Sequence, residues 1–169
     1  RIPELKEQIK RLQGENVAIF AIVGVAGTSE TGSVDRLEEM ADIAQEIGVH
    51  FHEDAARGGP TKKKKKYRHI LKGVERANSV TIDAHKQMYV PMGAGMVLFR
   101  DPTLVSAIEH HADYIIRKGS KDLGSYTLEG SRPGMAMLVQ SGLKIIGHDG
   151  YEILMDQGIE KARLFADMI

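Results

Sequence analysis

Two polar clusters, each at the end of an apolar, β-prone run, carry residue types from which an active site can be built. Asp54 follows the run 49–53, and Lys86 follows the run 79–82. Ligands bind outside the carboxyl ends of strands in open α/β sheets, so two such strand ends can share one ligand. A buried lysine can form a Schiff base with an aldehyde, and a carboxylate can keep a pyridinium nitrogen protonated. Together these two roles are the minimal protein equipment for pyridoxal phosphate chemistry.

The residues near this pair allow more than one interpretation. The small residues of 55–59 let a flat ring lie against the backbone. His85 can donate a hydrogen bond to a phosphate or simply cap a turn. Thr28 and Ser29 supply hydroxyls at another predicted strand end, where they can bind phosphate or a ring oxygen, although loops rich in serine and threonine are common.

Arg132 and Asp35 have both a structural and a functional interpretation. Arg132 precedes a predicted helix beside Pro133, and a guanidinium held there is a good fork for a carboxylate. A surface arginine at a helix N-terminus explains the same pattern equally well. Asp35 is expected to be the N-cap of the following helix or to lie in its first turn, a role that needs no catalysis.

The composition limits the classes of function. The 169 residues are about one domain, and 23 basic residues balance 23 acidic ones, so no overall field favours nucleic acid. Cysteine is absent, which excludes disulfides and fits a reducing compartment, and we expect a cytoplasmic protein. No apolar run reaches the length of a membrane span, and no cysteine or histidine spacing indicates a metal. The lysine run 62–66 is interpreted as a solvated loop, with an anionic partner as the alternative.

The hydrophobic pattern predicts an α/β protein with a mostly parallel sheet. Residues near 80 and 97 are expected to form a closing hairpin that lies at an edge or is antiparallel. Both ends of the chain fall inside helix patterns, and we interpret the chain as part of a longer protein. The predicted strands are 16–24, 49–53, 79–82 and 95–99, and the predicted helices are 3–13, 34–47, 67–74, 103–114, 133–146 and 151–169.

The order of these motifs resembles the group II pyridoxal phosphate-dependent amino-acid decarboxylases. Members of that family act on glutamate, aspartate, 2,4-diaminobutyrate, tyrosine and aromatic amino acids. The resemblance covers nearly the whole chain and rests on Gly27-Thr28-Ser29 with Asp35, His52-x-Asp54-Ala55-Ala56-x-Gly58-Gly59, Tyr67-Arg68-His69-x-Leu71-x-Gly73, Asn78-Ser79, Asp83-Ala84-His85-Lys86, Pro91-x-Gly93-x-Gly95 and Gly130-Ser131-Arg132-Pro133.

The resemblance implies a fold and an assembly. The fold is the large domain of fold-type I pyridoxal enzymes, a mostly parallel sheet flanked by helices. Residues 1–169 then form part of this cofactor-binding domain, without its N-terminal segment and without the C-terminal small domain. The family implies a homodimer with sites at the subunit interface, and we expect the isolated chain to be inactive.

The resemblance also implies a set of cofactor contacts. Lys86 is the Schiff-base lysine, and Asp54 pairs with the pyridine nitrogen. Ala56 packs on the ring face, and His85 contacts the cofactor phosphate or the substrate region. Ser29 takes the place of a threonine near the ring oxygen, with Thr28 beside it, and Asp83 lies next to a phosphate-contact position.

The expected reaction is α-decarboxylation of an L-amino acid to an amine and CO2, with an acidic amino acid or diaminobutyrate as the substrate. Arg132 is expected to hold the substrate α-carboxylate. Tyr126 and Tyr114 compete as the proton donor on a mobile loop at 117–126. The alternatives are another fold-type I enzyme, such as an aminotransferase or carbon–carbon lyase, and a non-catalytic module that binds anions through the lysine run. Glu53 and Arg57 depart from the family pattern, which has apolar residues at these positions.

Overall fold

A four-stranded sheet with the order β1-β2-β3-β4 forms the centre of the molecule. The computed structural model describes residues 1–63, 66–111, 119, 123–127 and 131–169, without the side chains of 62 and 63. Strands β1, β2 and β3 are parallel, and β4 runs antiparallel to β3 at the edge, as the sequence predicted. The strands are β1 Ala21–Val25, β2 His50–Asp54, β3 Ser79–Asp83 and β4 Gly95–Phe99.

Helices α1 (Ile2–Gly14) and α2 (Leu37–Ile47) pack against one face of the sheet. The apolar residues of α2 recur at helical spacing and are buried, and Gly48 ends the helix in the left-handed conformation with φ 69°. Phe51 of β2 joins the same apolar cluster. Because side chains alternate along a strand, His50, His52 and Asp54 lie on the opposite face from Phe51.

A second apolar cluster lies beneath the turn that joins β3 to β4. Helix α3 (Met135–Met168) is interrupted at Gly147, whose φ of 68° and ψ of 178° are not helical, so the two predicted helices are confirmed. The hydroxyl of buried Tyr151 donates a hydrogen bond to the Met88 carbonyl at 2.9 Å. Helix α3 therefore fixes the chain two residues after Lys86. Within the described helices, none combines the length and apolar character that crossing a bilayer requires.

The boundaries of β1 and α2 differ from the predicted ones because backbone hydrogen bonds compete for their ends. Asn16 has a φ of 56°, and the Val17 amide donates to Leu12 in a turn that closes α1, so β1 begins only at Ala21. Asp35 was wrongly predicted as a helix cap. Its carboxylate accepts a hydrogen bond from the Val25 amide at 2.9 Å, and Arg36 is the N-cap residue.

The predicted helices 67–74 and 103–114 are replaced by shorter 3-10 turns. The first is two turns, Arg68–Leu71 and Val74–Arg76, on either side of Gly73 with φ 105°. A β-carbon at Gly73 would lie 2.5 Å from the Glu38 amide nitrogen, so the chain passes close to the start of α2 there. The second is Pro102–Ile108, and residues 112–118 lie outside the described part of the chain.

The loops after β1 and β2 meet backbone to backbone at Gly58. Its amide donates to the Ala26 carbonyl at 3.0 Å. A β-carbon at Gly58 would lie 2.1 Å from the Ala26 oxygen, which is far inside van der Waals contact. The position requires glycine because the neighbouring atoms belong to the backbone and cannot turn away.

We expect Gly58→Ala to lower the free energy of unfolding by roughly 1–3 kcal/mol, the usual cost of forcing an extra carbon into a packed site. Gly14→Ala is the matched control, since a β-carbon at Gly14 would meet nothing within 4 Å. It should change stability by less than about 1 kcal/mol, in the stabilising direction. Urea unfolding measures both variants, and equal stability of the two would contradict the close approach.

Candidate active site

Asp54 and the turn that carries Lys86 lie at the same edge of two adjacent parallel strands. Asp54 pairs in register with Thr81 of β3. Beyond that pair, the Asp83 amide donates to the Ala56 carbonyl at 3.1 Å, so the loops after β2 and β3 are in direct contact. The Lys86 amide donates to the Asp83 carbonyl at 3.2 Å, which folds Lys86 back over the strand end. The sheet thus brings the predicted aspartate and lysine to one edge.

The amine of Lys86 is held by Asp83. Its Nζ lies 2.8 Å from Asp83 Oδ2, and the lysine side chain is 40% exposed whereas that of Asp83 is 19% exposed. The amine is therefore reachable from solvent, while the carboxylate that orients it is mostly buried. Because Asp83 is the last residue of β3, the position of the amine is tied to the sheet.

His85 is fixed in one tautomer by its hydrogen bond. Its Nδ1 lies 3.1 Å from the Ala94 carbonyl, which can only accept, so Nδ1 carries the proton. Nε2 lies 3.9 Å from Asp83 Oδ2, too far for a hydrogen bond. A neutral His85 therefore presents an acceptor at Nε2. It can donate from Nε2 to a phosphate only when the ring carries two protons.

Asp54 and Ala56 are both accessible to solvent at the end of β2. Asp54 is exposed, and its Oδ1 accepts a hydrogen bond from the Ala56 amide at 3.1 Å. Ala55 is fully buried and Ala56 is half-buried. An accessible carboxylate beside a methyl side chain fits the edge and face of a flat heterocycle.

The loop after β1 is ordered by its own hydroxyls and by Arg57. The Thr28 hydroxyl lies 2.8 Å from that of Thr31 and accepts from the Ser33 amide at 3.1 Å. Arg57 Nη1 donates to the Ser29 carbonyl at 2.7 Å, so a residue that departs from the family pattern connects the loops after β1 and β2. Thr28 and Ser29 remain predicted cofactor contacts.

Arg132 and Tyr126 have their described contacts within the segment from 109 to 132. Arg132 is exposed, and its Nη1 donates to the Thr127 hydroxyl. The Tyr126 hydroxyl lies 3.4 Å from Glu109 Oε1. Tyr114, Gly130 and most of the predicted mobile loop lie outside the described residues, as do two lysines of the run 62–66. The roles of Arg132 and Tyr126 therefore stay predictions.

A row of hydrogen-bonded side chains runs along the same sheet face as Asp54, and the sequence motifs did not indicate it. His50 Nε2 and His52 Nδ1 each lie 2.7 Å from the Ser79 hydroxyl. His52 Nε2 lies 3.2 Å from the Thr81 hydroxyl. We call these four residues the histidine row. The alternation His50-x-His52-x-Asp54 was the available signal, since it places three polar side chains on one face of a strand.

The environment of His52 favours its neutral form. Burial lowers the pKa of His52 from its ordinary 6.5, the negative charge of Asp54 partly opposes this, and His50 adds to the lowering. In the unfolded chain the ring takes up its proton at higher pH than in the folded chain. The folded state therefore loses stability as pH falls from 6.5 to the pKa of folded His52, and stability rises with pH across that window.

We expect His52→Gln to remove this contribution to the pH dependence of stability, because glutamine does not titrate. His148→Gln, at a 61% exposed side chain on α3, is the matched control and should keep the wild-type slope. Urea unfolding between pH 5 and about pH 7 measures the slope. A wild-type slope that persists in His52→Gln would show that the ring is not buried as the structure has it.

The chain matches known proteins over its whole length. A family model described as the pyridoxal-dependent decarboxylase conserved domain matches residues 1–169. Aspartate 1-decarboxylase of Aliivibrio fischeri is 60% identical over 99% of this chain and 31% of its own length. L-2,4-diaminobutyrate decarboxylase of Rhizobium meliloti is 31% identical over 99% of this chain and 35% of its own length. The chain thus spans about a third of the length of these curated relatives.

Solved structures also resemble this chain. Mouse CSAD in its apo form superposes with a TM-score of 0.91 at 27% identity, over 100% of this chain and 36% of that one. A structure of Oryza sativa TDC with PLP and tryptamine also has a TM-score of 0.91, and at 20% identity it shows the fold alone. The chain belongs to the pyridoxal-dependent decarboxylase family. This confirms the family, the fold class and the cofactor, pyridoxal 5'-phosphate, that the sequence predicted.

Proposed function

We propose that this chain is part of the cofactor-binding large domain of an enzyme that removes the α-carboxyl group of L-aspartate, with β-alanine and CO2 as products. The observation that carries the proposal is the register of β2 and β3, which brings Asp54 and the Lys86 turn to one edge of the sheet. The choice of aspartate is supported by the 60% identity to an aspartate 1-decarboxylase, against 31% for a diaminobutyrate decarboxylase.

The residues at the strand ends suit the cofactor. When bound, pyridoxal phosphate supplies an aldehyde for covalent attachment and a protonated ring that withdraws electrons from the substrate Cα. Lys86 would hold the aldehyde carbon, and the exposure of its side chain leaves it accessible to an incoming amine. Asp54 would keep the ring nitrogen protonated through its charge, and Ala56 would pack against the ring face.

The remaining residues have roles in binding and proton transfer. Asp83 orients the Lys86 amine before it reacts, and its position at the end of β3 makes this orientation reproducible. His85, Ser29 and Thr28 would hold the phosphate and the ring oxygen. Arg132 binds the substrate α-carboxylate, and Tyr126 or Tyr114 returns a proton to the carbon that lost CO2. We further propose that the full-length enzyme is a cytoplasmic homodimer and that residues 1–169 alone are inactive.

Lys86→Ala in the full-length enzyme should abolish the visible absorbance of lysine-bound cofactor, because the variant lacks the amine that we propose to form this bond. Lys72→Ala is the matched control, since Lys72 is exposed and pairs with Glu38 of α2 at 2.9 Å. Absorbance spectra of both variants with added cofactor decide the assignment. Retained lysine-bound absorbance in Lys86→Ala would remove Lys86 from its proposed role.

The full-length enzyme should release CO2 from L-aspartate faster than from L-2,4-diaminobutyrate or L-glutamate. The measurement is CO2 release from carboxyl-labelled amino acids, with keto acids assayed in the same samples. Keto acid without CO2 would identify an aminotransferase instead. Faster CO2 release from diaminobutyrate would support a decarboxylase with a different substrate. CO2 release by residues 1–169 alone would contradict the proposal that this segment is inactive by itself.

A further inference from the structure

The histidine row occupies the face of β2 and β3 that leads to Asp54. Its members are side by side across the two strands, because His52 pairs in register with Ser79, and Asp54 with Thr81. Ser79 is 4% exposed, so its hydroxyl must obtain its hydrogen bonds from protein groups. The histidine row is thus a hydrogen-bonded polar feature of the sheet, directly behind Asp54, the residue proposed to hold the cofactor ring.

The hydrogen bonds of Ser79 restrict the protons on both histidines. A hydroxyl has one hydrogen, yet Ser79 Oγ lies 2.7 Å from a nitrogen of His50 and 2.7 Å from a nitrogen of His52. It can donate to only one of them, and the other nitrogen must carry a proton and donate to Ser79. Either direction satisfies the row with both rings neutral, because Thr81 can donate to His52 Nε2 or accept from it. No positive charge is needed beside Asp54.

A charge on His52 would act on Asp54, because the two side chains lie on the same face of β2. Among the described residues, the titratable groups that act on His52 are Asp54 and His50 of its own strand. On the neighbouring strands, Val23 of β1 lies beside His52, and β3 contributes the hydroxyls of Ser79 and Thr81. Asp83 lies further along β3 and is paired with Lys86. An imidazolium at position 52 would pair with the Asp54 carboxylate and weaken its attraction for any other cation.

We infer that the histidine row is a positioning device for Asp54: the half-buried position of His52 between Ser79 and Thr81 disfavours a charged ring, so that the Asp54 charge remains directed at the pyridinium nitrogen of the cofactor. This inference rests on the proposed function, because it assigns the role of residues behind that site. His52 touches neither substrate nor cofactor and acts only through Asp54.

The consequence is a pH dependence of cofactor affinity. Burial lowers the pKa of His52, which keeps the ring neutral at neutral pH. As pH falls through the lowered pKa of His52, the ring becomes protonated, the imidazolium competes for Asp54, and the cofactor dissociation constant rises. A competing charge in this partly exposed position should weaken binding roughly fivefold, as one solvent-screened ion pair would.

The test compares wild type, His52→Asn and His52→Lys in the full-length enzyme. Asparagine keeps a polar group near the position of Nδ1 for Ser79 and never carries charge, whereas lysine carries a charge at every pH used. Cofactor dissociation constants are measured from pH 5 to about pH 8 by the absorbance of the lysine-bound form. His148→Lys on α3 is the control for added charge alone, and circular dichroism verifies that each variant is folded.

We expect the wild-type dissociation constant to rise at low pH, that of His52→Asn to lack this rise, and that of His52→Lys to be raised roughly fivefold or more throughout. Equal pH profiles for wild type and His52→Asn would overturn the inference while leaving the proposed function intact. If His52→Lys does not fold, the comparison of wild type with His52→Asn still decides. Failure of the wild type to bind the cofactor at any pH would instead overturn the proposed function, and the inference with it.

Discussion

The parallel register of β2 and β3 is the constraint on which the candidate site depends. Because the two strands run in the same direction, their carboxyl ends lie at one edge, and Asp54 lies beside Thr81. The bond from the Asp83 amide to the Ala56 carbonyl then brings together the two loops that leave these strands. Helices α1 and α2 stabilise this arrangement from one face through Phe51, and α3 anchors the Lys86 turn through Tyr151 and Met88. The chemistry of the site is a consequence of strand direction.

The two carboxylates at the strand ends, Asp54 and Asp83, have different environments. Asp83 is mostly buried and paired with the Lys86 amine, whereas Asp54 is exposed and bonded only locally, to the Ala56 amide, among the contacts described above. The first orients an amine, and the second is available to a cation from outside the chain. The same sheet therefore positions both carboxylates that we propose for the pyridoxal phosphate site, Asp83 beside the amine and Asp54 for the ring nitrogen. Behind Asp54, the hydrogen-bonded side chains of the histidine row lie on the same face of the sheet.

Local sequence signals predicted the strands, the edge hairpin and the Asp54–Lys86 pair, because each depends on periodicity and on the polar residues that follow it. They failed where long-range backbone bonds decide the outcome. Asp35 was expected to cap α2, but the strand amide of Val25 takes its carboxylate. The alternation of His50, His52 and Asp54 indicated a polar strand face, but the partners of the histidines and of Arg57 could not be predicted from spacing, since they lie in other loops and strands that only the fold brings together.

We propose that a single pyridoxal phosphate is bonded to Lys86 while its ring nitrogen is held by Asp54. The most direct measurement is the ¹⁵N resonance of ring-labelled cofactor bound to the full-length enzyme, in wild type and in Asp54→Asn. We expect a protonated ring nitrogen in wild type, and an unprotonated one in Asp54→Asn with the covalent bond to Lys86 retained. The same ring-nitrogen signal in both proteins would contradict it.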